Sequence, residues 1–413
     1  MHTVSKARAA FAIIFFAGII GWGVWNVYSQ GPRIIEGMSA TDSPRSIQDV
    51  REVSDKLQIL TRQNFEGKYL AWELHADIQQ ALGKLEMNNF SVIKAPDGRL
   101  YRGGLYPIYI EDAQKLASDI ADFAEAAAEN GTKILYLGTP DIVAKGTEGT
   151  RHLPVNMPYR DYNIASDALL YVLREKGVPY IDTRYSFLMH GFLPEDISPK
   201  TSLLLSGEAA FAVFTYLVEG LERRFSLALD PDGFYRDPGN YSMTLYPEFF
   251  MGELGKETGP GFSGLDDFTA VTPAFDTEFA YEALDMFGNT TIANGNAEET
   301  LLNPDALVYY ENLYRLYPQS YYRHTNTTWS RVENRLNPDG PKILFIHDFY
   351  TAQVIGHLAP LCGELHTLAF QENMSASALE YIQDNNFDYV IISFFPENLN
   401  RPEMRRLVTG EEE

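Results

Sequence analysis

Five short apolar runs, interleaved with helical stretches, constrain the fold of this chain more than any other feature. KILYLGTP begins at Lys133, VPYIDTR at Val178, KILFIHDF at Lys342, ELHTLAF at Glu364 and YVIISFF at Tyr389. Ile343, Leu344, Phe345 and Ile346 form an unbroken apolar row, the pattern of a strand covered on both faces rather than one. Helical stretches precede or follow these runs at 111–130, 161–176, 206–225, 353–361 and 375–385. The first two stop at Gly131 and Gly177, glycines placed just past a helix end. Alternation of this kind predicts an α/β fold, a parallel, doubly wound sheet flanked by helices. Ahead of it, FSVIKAPDGRLYRGG predicts two short strands joined at Pro96, Asp97 and Gly98.

Residues 226–340 break the alternation. They are rich in Gly, Pro, Asp and aromatic residues, and they read as mostly irregular with short strands. The same sheet brackets them, so they are expected to be an insertion within a domain spanning 90–413. Upstream, 31–42 reads as a polar connector. From Ser43, an N-cap followed by Pro44, to about residue 85 the spacing of Val50, Val53, Leu57 and Leu60 predicts a helix. Residues 31–89 are thus expected to form a helical stalk or cap.

The N-terminus carries Lys6 and Arg8, then an apolar run over 9–28 long enough to cross a bilayer. Trp22, Trp25 and Tyr28 gather at its far end, and WNVYSQGPR lacks a small-residue cleavage site. Residues 1–30 are expected to be an uncleaved, single-pass membrane anchor with the bulk of the chain extracytoplasmic. A cleaved signal peptide is the alternative, and it also exports the body. With 33 Lys and Arg against 56 Asp and Glu, the formal charge is −23, which excludes a nucleic-acid partner because phosphates require basic patches. The single cysteine, Cys362, rules out an internal disulfide framework, and its apolar setting in HLAPLCGELHTL suits a buried, inert thiol.

GRLYRGG, KILYLGTP, a loop ending in HLP, and DYNIASDALLYVLREKGVPYIDTR succeed one another in an order that resembles the SGNH-hydrolase-like domain of the DHHW family. FFMGELGKETGPGFSGLDDFTAVTPAFDTEF resembles the family's segment between its two catalytic motifs. PKILFIHDFYTAQVIGHLAPLCGELHTL resembles its serine block, and ALEYIQDNNFDYVIISF its closing helix and strand. The resemblance covers roughly residues 90–395. It implies a flavodoxin-like α/β fold and kinship with alginate-type polysaccharide O-acetyltransferases of bacterial envelopes, with no cofactor.

The resemblance also implies a serine that attacks an acetyl ester, a histidine that takes its proton, and an aspartate that orients the histidine. The family's serine sits in a D-S-Y or D-S-F motif. Here Asp348 and Tyr350 flank Phe349, whose ring can be neither deprotonated nor acylated. The family's D-x-H-W motif matches SPKTSLLLSGEAAFAVFTYL, which puts Ser202 at the aspartate, Leu204 at the histidine and Leu205 at the tryptophan. All three catalytic roles are missing, at two sites far apart in sequence. The expected protein is therefore a non-catalytic relative that binds a polysaccharide or supports an active acetyltransferase or a membrane protein that exports acyl groups. The alternative is an acetyl-ester transferase or esterase whose catalytic group has moved.

Other residues near the motifs have milder readings. His347 shares a strand face with Phe349 and is expected to be a hydrogen-bonded histidine at a strand end. Asp348 is expected to cap the following turn, and Thr351 is a further hydroxyl in the block. Ser263, in PGFSGLDD, lacks the second glycine of G-x-S-x-G. His152 and His190 stand alone, so no metal site is expected. Arg323, His324, Asn326 and Trp329, in YYRHTNTTW, combine an aromatic ring with polar groups in the manner of a glycan groove.

Overall fold

The computed structural model describes residues 2–38, 56–57, 65, 67–142, 157–308, 312–369 and 378–410. They divide into two compact units, Met1–His75 and Ala76–Glu413.

In the first unit, His2–Met38 is a single helix of 37 residues. The polar connector expected to start at Gly31 is instead its last two turns. Pro32 lies inside, where it forfeits one ladder donor without ending the helix. At ~1.5 Å per residue such a helix outruns the ~30 Å core of a bilayer. Among the described residues no helix is long and apolar enough to cross a membrane, so the expected span over 9–28 does not emerge as such. Most of the 43–67 region lies outside the described residues. A shorter helix occupies Lys68–Ala81, and the stalk pattern ends before residue 85 because Glu86 and Met87 are already in a strand.

The second unit contains thirteen strands among its described residues. β1 (Glu86–Met87), β2 (Val92–Lys94) and β3 (Leu100–Arg102) make a small antiparallel sheet. Its β2–β3 hairpin turns at Gly98, which sits at φ +88 where a side chain would be strained. β4 (Lys133–Gly138) and β5 (Tyr180–Asp182) come next, then β6 (Tyr241–Phe250), β7 (Asp266–Pro273), β8 (Phe279–Asp285), β9 (Thr290–Gly295), β10 (Thr327–Asn334), β11 (Lys342–His347), β12 (Glu364–Ala369) and β13 (Tyr389–Ser393). Eight of them form the central sheet in the order β5-β4-β13-β11-β12-β10-β8-β9, while β6 and β7 form a separate ribbon.

The first five strands of that sheet are parallel. β10, β8 and β9 are antiparallel, so the sheet is mixed rather than parallel throughout. One antiparallel pair has a local cause: Asp285 accepts hydrogen bonds from the amides of Phe287 and Asn289, and Gly288 sits at φ +83, a tight turn that makes β8 and β9 an antiparallel hairpin. Residues 226–340, expected to be mostly irregular, therefore carry β6 to β10.

The parallel strands are buried on both faces, as their unbroken apolar rows require. Leu135, Leu137, Ile343, Phe345 and Ile391 face one core, with the helix Gly207–Phe225 above them. Ile134, Tyr136, Leu344, Ile346, Val390 and Ile392 face the other, under the helices Ile110–Ala128 and Asn163–Glu175. Each fully buried large side chain contributes about 1.5–3 kcal/mol relative to exposure, which is what holds the two layers to the sheet. Ser206 caps the Gly207–Phe225 helix by accepting from the Ala209 amide at 3.1 Å.

Candidate functional site

In doubly wound folds ligands gather outside the carboxyl ends of the parallel strands, and the residues leaving β11, β13 and β4 meet there. β11 ends at His347. Asp348 and Phe349 turn the chain, and the helix Ala352–Leu358 begins three residues later. Phe349 has φ +73, a left-handed conformation that non-glycine residues adopt at a cost. Strand, strained turn and helix are the geometry that exposes a nucleophile in hydrolases of this general design. The turn is kept, and a half-buried phenyl ring stands at its apex.

His347 approaches the apex, as strand alternation predicts, with its ring centroid 6.1 Å from that of Phe349. The Phe349 amide donates to Nδ1 at 3.2 Å. That bond fixes the tautomer with the proton on Nε2, which is buried and without a partner. Burial, helped by the nearby His324, pushes His347 down to about 3. A neutral imidazole whose lone pair is already engaged is a poor base.

Asp348 ties the turn to the loop after β13. Its Oδ2 accepts from the Phe395 amide at 2.6 Å and from Asn398 Nδ2 at 2.8 Å. Burial raises its carboxyl to about 6 against the pull of these bonds. Tyr350 stacks on Phe395 at 4.3 Å and donates its hydroxyl to the Pro140 carbonyl at 3.1 Å. Burial raises that hydroxyl well above its ordinary value of 10. Thr351 is buried, its hydroxyl enclosed.

The second motif is brought to the same rim. Gln353 Nε2 donates to the Leu205 carbonyl at 3.2 Å, linking the helix after Phe349 to the segment that carries Leu204. Ser202 is 1% exposed and donates to Glu253 Oε2 at 2.8 Å. The Leu203 amide donates to the same oxygen at 3.0 Å, and the Leu204 amide to Ser202 Oγ at 3.1 Å. Gly252 lies against this segment, donating its amide to Thr201 Oγ1 at 2.7 Å. A Cβ on Gly252 would meet Ser202 Cα and the Thr201 carbonyl. Ser202 is thus a packed, bonded hydroxyl, and Leu204 a half-buried side chain packed against the core.

Several residues of this rim escape a motif-based reading. Asp141, just beyond β4, accepts from the Ile142 amide at 2.8 Å and the Tyr162 amide at 2.9 Å. Burial, with Asp161 and Glu397 nearby, raises it to about 8. Arg102 forms a two-pronged bond to Glu257 at 2.7 and 2.9 Å and lies 3.6 Å from Glu397. The signal for Asp141, Glu397 and Asn398 was positional: each comes just after the end of a predicted parallel strand. Glu253 and Arg102 had no such signal.

The four residues of the proposed groove do not share one surface. Trp329 and Ser330 are neighbours on β10 and point to opposite faces. Trp329 Nε1 donates to the Tyr381 hydroxyl at 2.7 Å on one side. His324, fully buried, pairs its Nδ1 with the Ser330 hydroxyl at 3.1 Å on the other. Arg323 donates its Nε to the Leu302 carbonyl at 2.7 Å, leaving Asn326 as the exposed member. Ser263 donates to the carbonyls of Gly259 and Gly264. His190 is exposed and bonds its own helix at Ser186, and His152 lies outside the described residues.

Comparison with solved structures places this architecture. Bacillus cereus PatB1, solved with a sulfonyl adduct, superimposes with a TM-score of 0.58 at 15% identity, covering 76% of this chain and 98% of that one. A DHHW family protein from Eubacterium siraeum superimposes at 0.57 and 14% identity, covering 79% and 96%. The chain has the DHHW-type, SGNH-like fold. The O-acetyltransferase domain of Pseudomonas putida AlgJ also matches, at a TM-score of 0.44 and 13% identity over 78% of this chain and 99% of that one. No family profile matches the sequence, and no curated protein matches it. At these identities the DHHW-type fold is what is shared, and the chemistry is decided by the residues on the rim.

Proposed function

We propose that this DHHW-type protein is a non-catalytic relative of polysaccharide O-acetyltransferases, held at the cell envelope, where it binds glycan or supports an acetylation complex. The observation that carries this reading is the apex of the β11 turn. The strained left-handed backbone of a nucleophile turn is present at Phe349, with no hydroxyl on it. A backbone conformation that costs free energy, kept without the group it would present, suits a scaffold that has lost its reaction.

The nearby hydroxyls support the reading. Ser202 and Thr351 are each 1% exposed, Ser263 is bonded to two carbonyls, and Tyr350 is bonded to Pro140. None stands free with a basic nitrogen beside it. Membrane attachment is supported by the exposed apolar surface of the first helix, where Ile14, Ile20, Val24, Val27 and Tyr28 are all more than 60% exposed. An exposed apolar face of this size favours an apolar surrounding. The partners that fit are a polysaccharide and, within the membrane, an acyl-exporting protein or an active acetyltransferase.

One observation favours the alternative, an acetyl-ester transferase or esterase with a relocated catalytic group. Asp141 and Asp348, raised to about 8 and about 6, are carboxyls of the kind that act as general acids near neutrality. Covalent labelling separates the two readings. Intact-mass measurement of the full chain after treatment with a sulfonyl fluoride is expected to show no stoichiometric adduct. One sulfonyl group mapped to a serine, threonine or tyrosine on this rim overturns the non-catalytic reading.

A further inference from the structure

Among the described residues the central sheet ends at β5 on one side and at β9 on the other. Folded sheets guard such edges with charge, proline or very short strands, because an unpaired row of backbone groups recruits another chain. β5 is guarded: it has three residues, and Asp182 at its end pairs with Arg184 at 2.8 Å. β9 has six, TTIANG, with neither a charge nor a proline among them. The turn before it shows which backbone groups are free. The Asp285 amide donates to the Asn289 carbonyl at 3.0 Å, which makes these two a hydrogen-bonded pair. Antiparallel ladders alternate, so the pairs Ala283–Thr291 and Tyr281–Ala293 are the bonded ones further along the register. Thr290, Ile292 and Asn294 therefore turn their N–H and C=O groups out of the sheet.

The side chains of these three residues share one face of the sheet and are all exposed. Ile292 is 72% exposed, and Leu284, on the same face one strand in, is also exposed. The turn adds Met286 and Phe287, the latter 81% exposed. Apolar side chains beside free backbone donors and acceptors suit the addition of a strand. In that mode the backbone bonds supply affinity and alternate side chains supply the contact.

The strand also indicates its partner. With a formal charge of −23, two copies of this chain repel over most of their surfaces, so a contact between them needs an uncharged strip, which β9 provides. A two-fold axis at Ile292 sets Ile292 opposite its counterpart and Thr290 opposite Asn294 of the copy. It is the antiparallel register in which all three outward-facing residues meet outward-facing partners. The same register carries the Asn294 end of each strand toward the turn of the other copy. Arg335 donates to Asn294 Oδ1 at 2.7 Å and lies 3.4 Å from the exposed Glu278. It thus approaches the turn that holds the Asp285 carboxylate, placing opposite charges at both ends of the contact. Glu299, a like charge at that end, is turned back onto the Asn296 amide at 3.0 Å. We propose that β9 pairs with β9 of a second copy of this chain, antiparallel about Ile292, joining two eight-stranded sheets into one. Strands this short bury little area, so the dimer is weak and concentration-dependent. None of these residues belongs to the Phe349 turn, so the inference stands or falls apart from the turn's inactivity.

The test is sedimentation velocity of the full chain in density-matched detergent over a series of concentrations. A reversible shift toward twice the monomer mass is expected as concentration rises. Ile292→Lys puts like charges together at the axis, and Thr290→Pro removes an outward donor without breaking the ladder to β8. Each is expected to weaken association by about tenfold or more. Leu188→Lys alters an exposed apolar residue on the helix after β5 and is expected to leave association unchanged. Ile292→Cys is expected to give a disulfide-linked dimer under mild oxidation, because a hydrogen-bonded antiparallel pair holds its Cα atoms ~5.5 Å apart. The wild type, whose Cys362 is buried, is expected to give none. A monomer at every concentration, a dimer that persists in both edge variants or is lost equally in Leu188→Lys, or an Ile292→Cys chain that does not cross-link overturns the proposal.

Discussion

Replacing Phe349 by glycine and by alanine isolates the strain in the β11 turn. Both variants delete the same half-buried ring, so the loss of ring packing cancels between them. What remains is the backbone at φ +73. A left-handed conformation costs an L residue about 1–2 kcal/mol, and glycine nothing comparable. Glycine brings about 0.5–1 kcal/mol of extra conformational entropy to the unfolded chain, which offsets part of the gain. Phe349→Gly should therefore be more stable than Phe349→Ala by roughly 0.5–1 kcal/mol. Urea unfolding of the full chain, with both variants measured beside the wild type, reads this as a higher midpoint for glycine at an unchanged slope. Equal midpoints, or a higher one for alanine, would refute the claim that the turn keeps the strained geometry of a nucleophile elbow.

Two more outcomes rest on the same geometry. Folding stability should fall on acidification from pH 6.5 toward 4. His324, His347, His357 and His366 have folded values of about 4, 3, 4 and 4 because burial disfavours their charge, whereas the unfolded chain protonates them near 6.5. Asp141 and Asp348, raised to about 8 and about 6, hold protons in the fold and oppose this, leaving a net uptake on unfolding of about one to two protons near pH 5. Urea midpoints that stay level or rise between pH 6.5 and 5 contradict the assignment of neutral buried histidines. Gly252→Ala should destabilise the protein by about 1–3 kcal/mol, because its Cβ would meet Ser202 Cα and the Thr201 carbonyl. A thermal midpoint equal to wild type shows that the 201–205 segment is not packed against Gly252.

The parallel half of the sheet was legible because burial on both faces leaves nothing polar in a strand. Ile343 to Ile346 and Tyr389 to Ile392 could be read without knowing what covered them. The antiparallel half hides its strands differently. Most of β6 is exposed and mixes polar with apolar residues, and β9 lies at the sheet edge with its side chains largely in solvent, so neither has an unbroken apolar row. β8 does alternate, with Phe279, Tyr281 and Ala283 inward, a period-two signal obscured by the glycines and prolines around it. At the rim, Phe349 and Leu204 could be singled out by motif position. Asp141, Glu253 and Glu397 could not, since they come from three separate segments and no spacing in the chain links them. The residues proposed for a glycan groove at 321–329 are separated by local structure: Arg323, His324 and Asn326 lie on a short helical turn before β10, and Trp329 lies within β10.

The central claim is that the rim lacks a working nucleophile and base. It is tested most directly by acetyl-ester turnover of the full chain beside a variant carrying Phe349→Ser, Leu204→His and Ser202→Asp. Because Ser202 Oγ lies 2.8 Å from Glu253, that variant also needs Glu253→Gln, or two carboxylates would face each other. The account predicts a wild type no faster than buffer and a variant that gains turnover rising with pH as the new histidine loses its proton. Turnover by the wild type with a defined pH dependence contradicts it, and would locate the chemistry in a group other than Phe349.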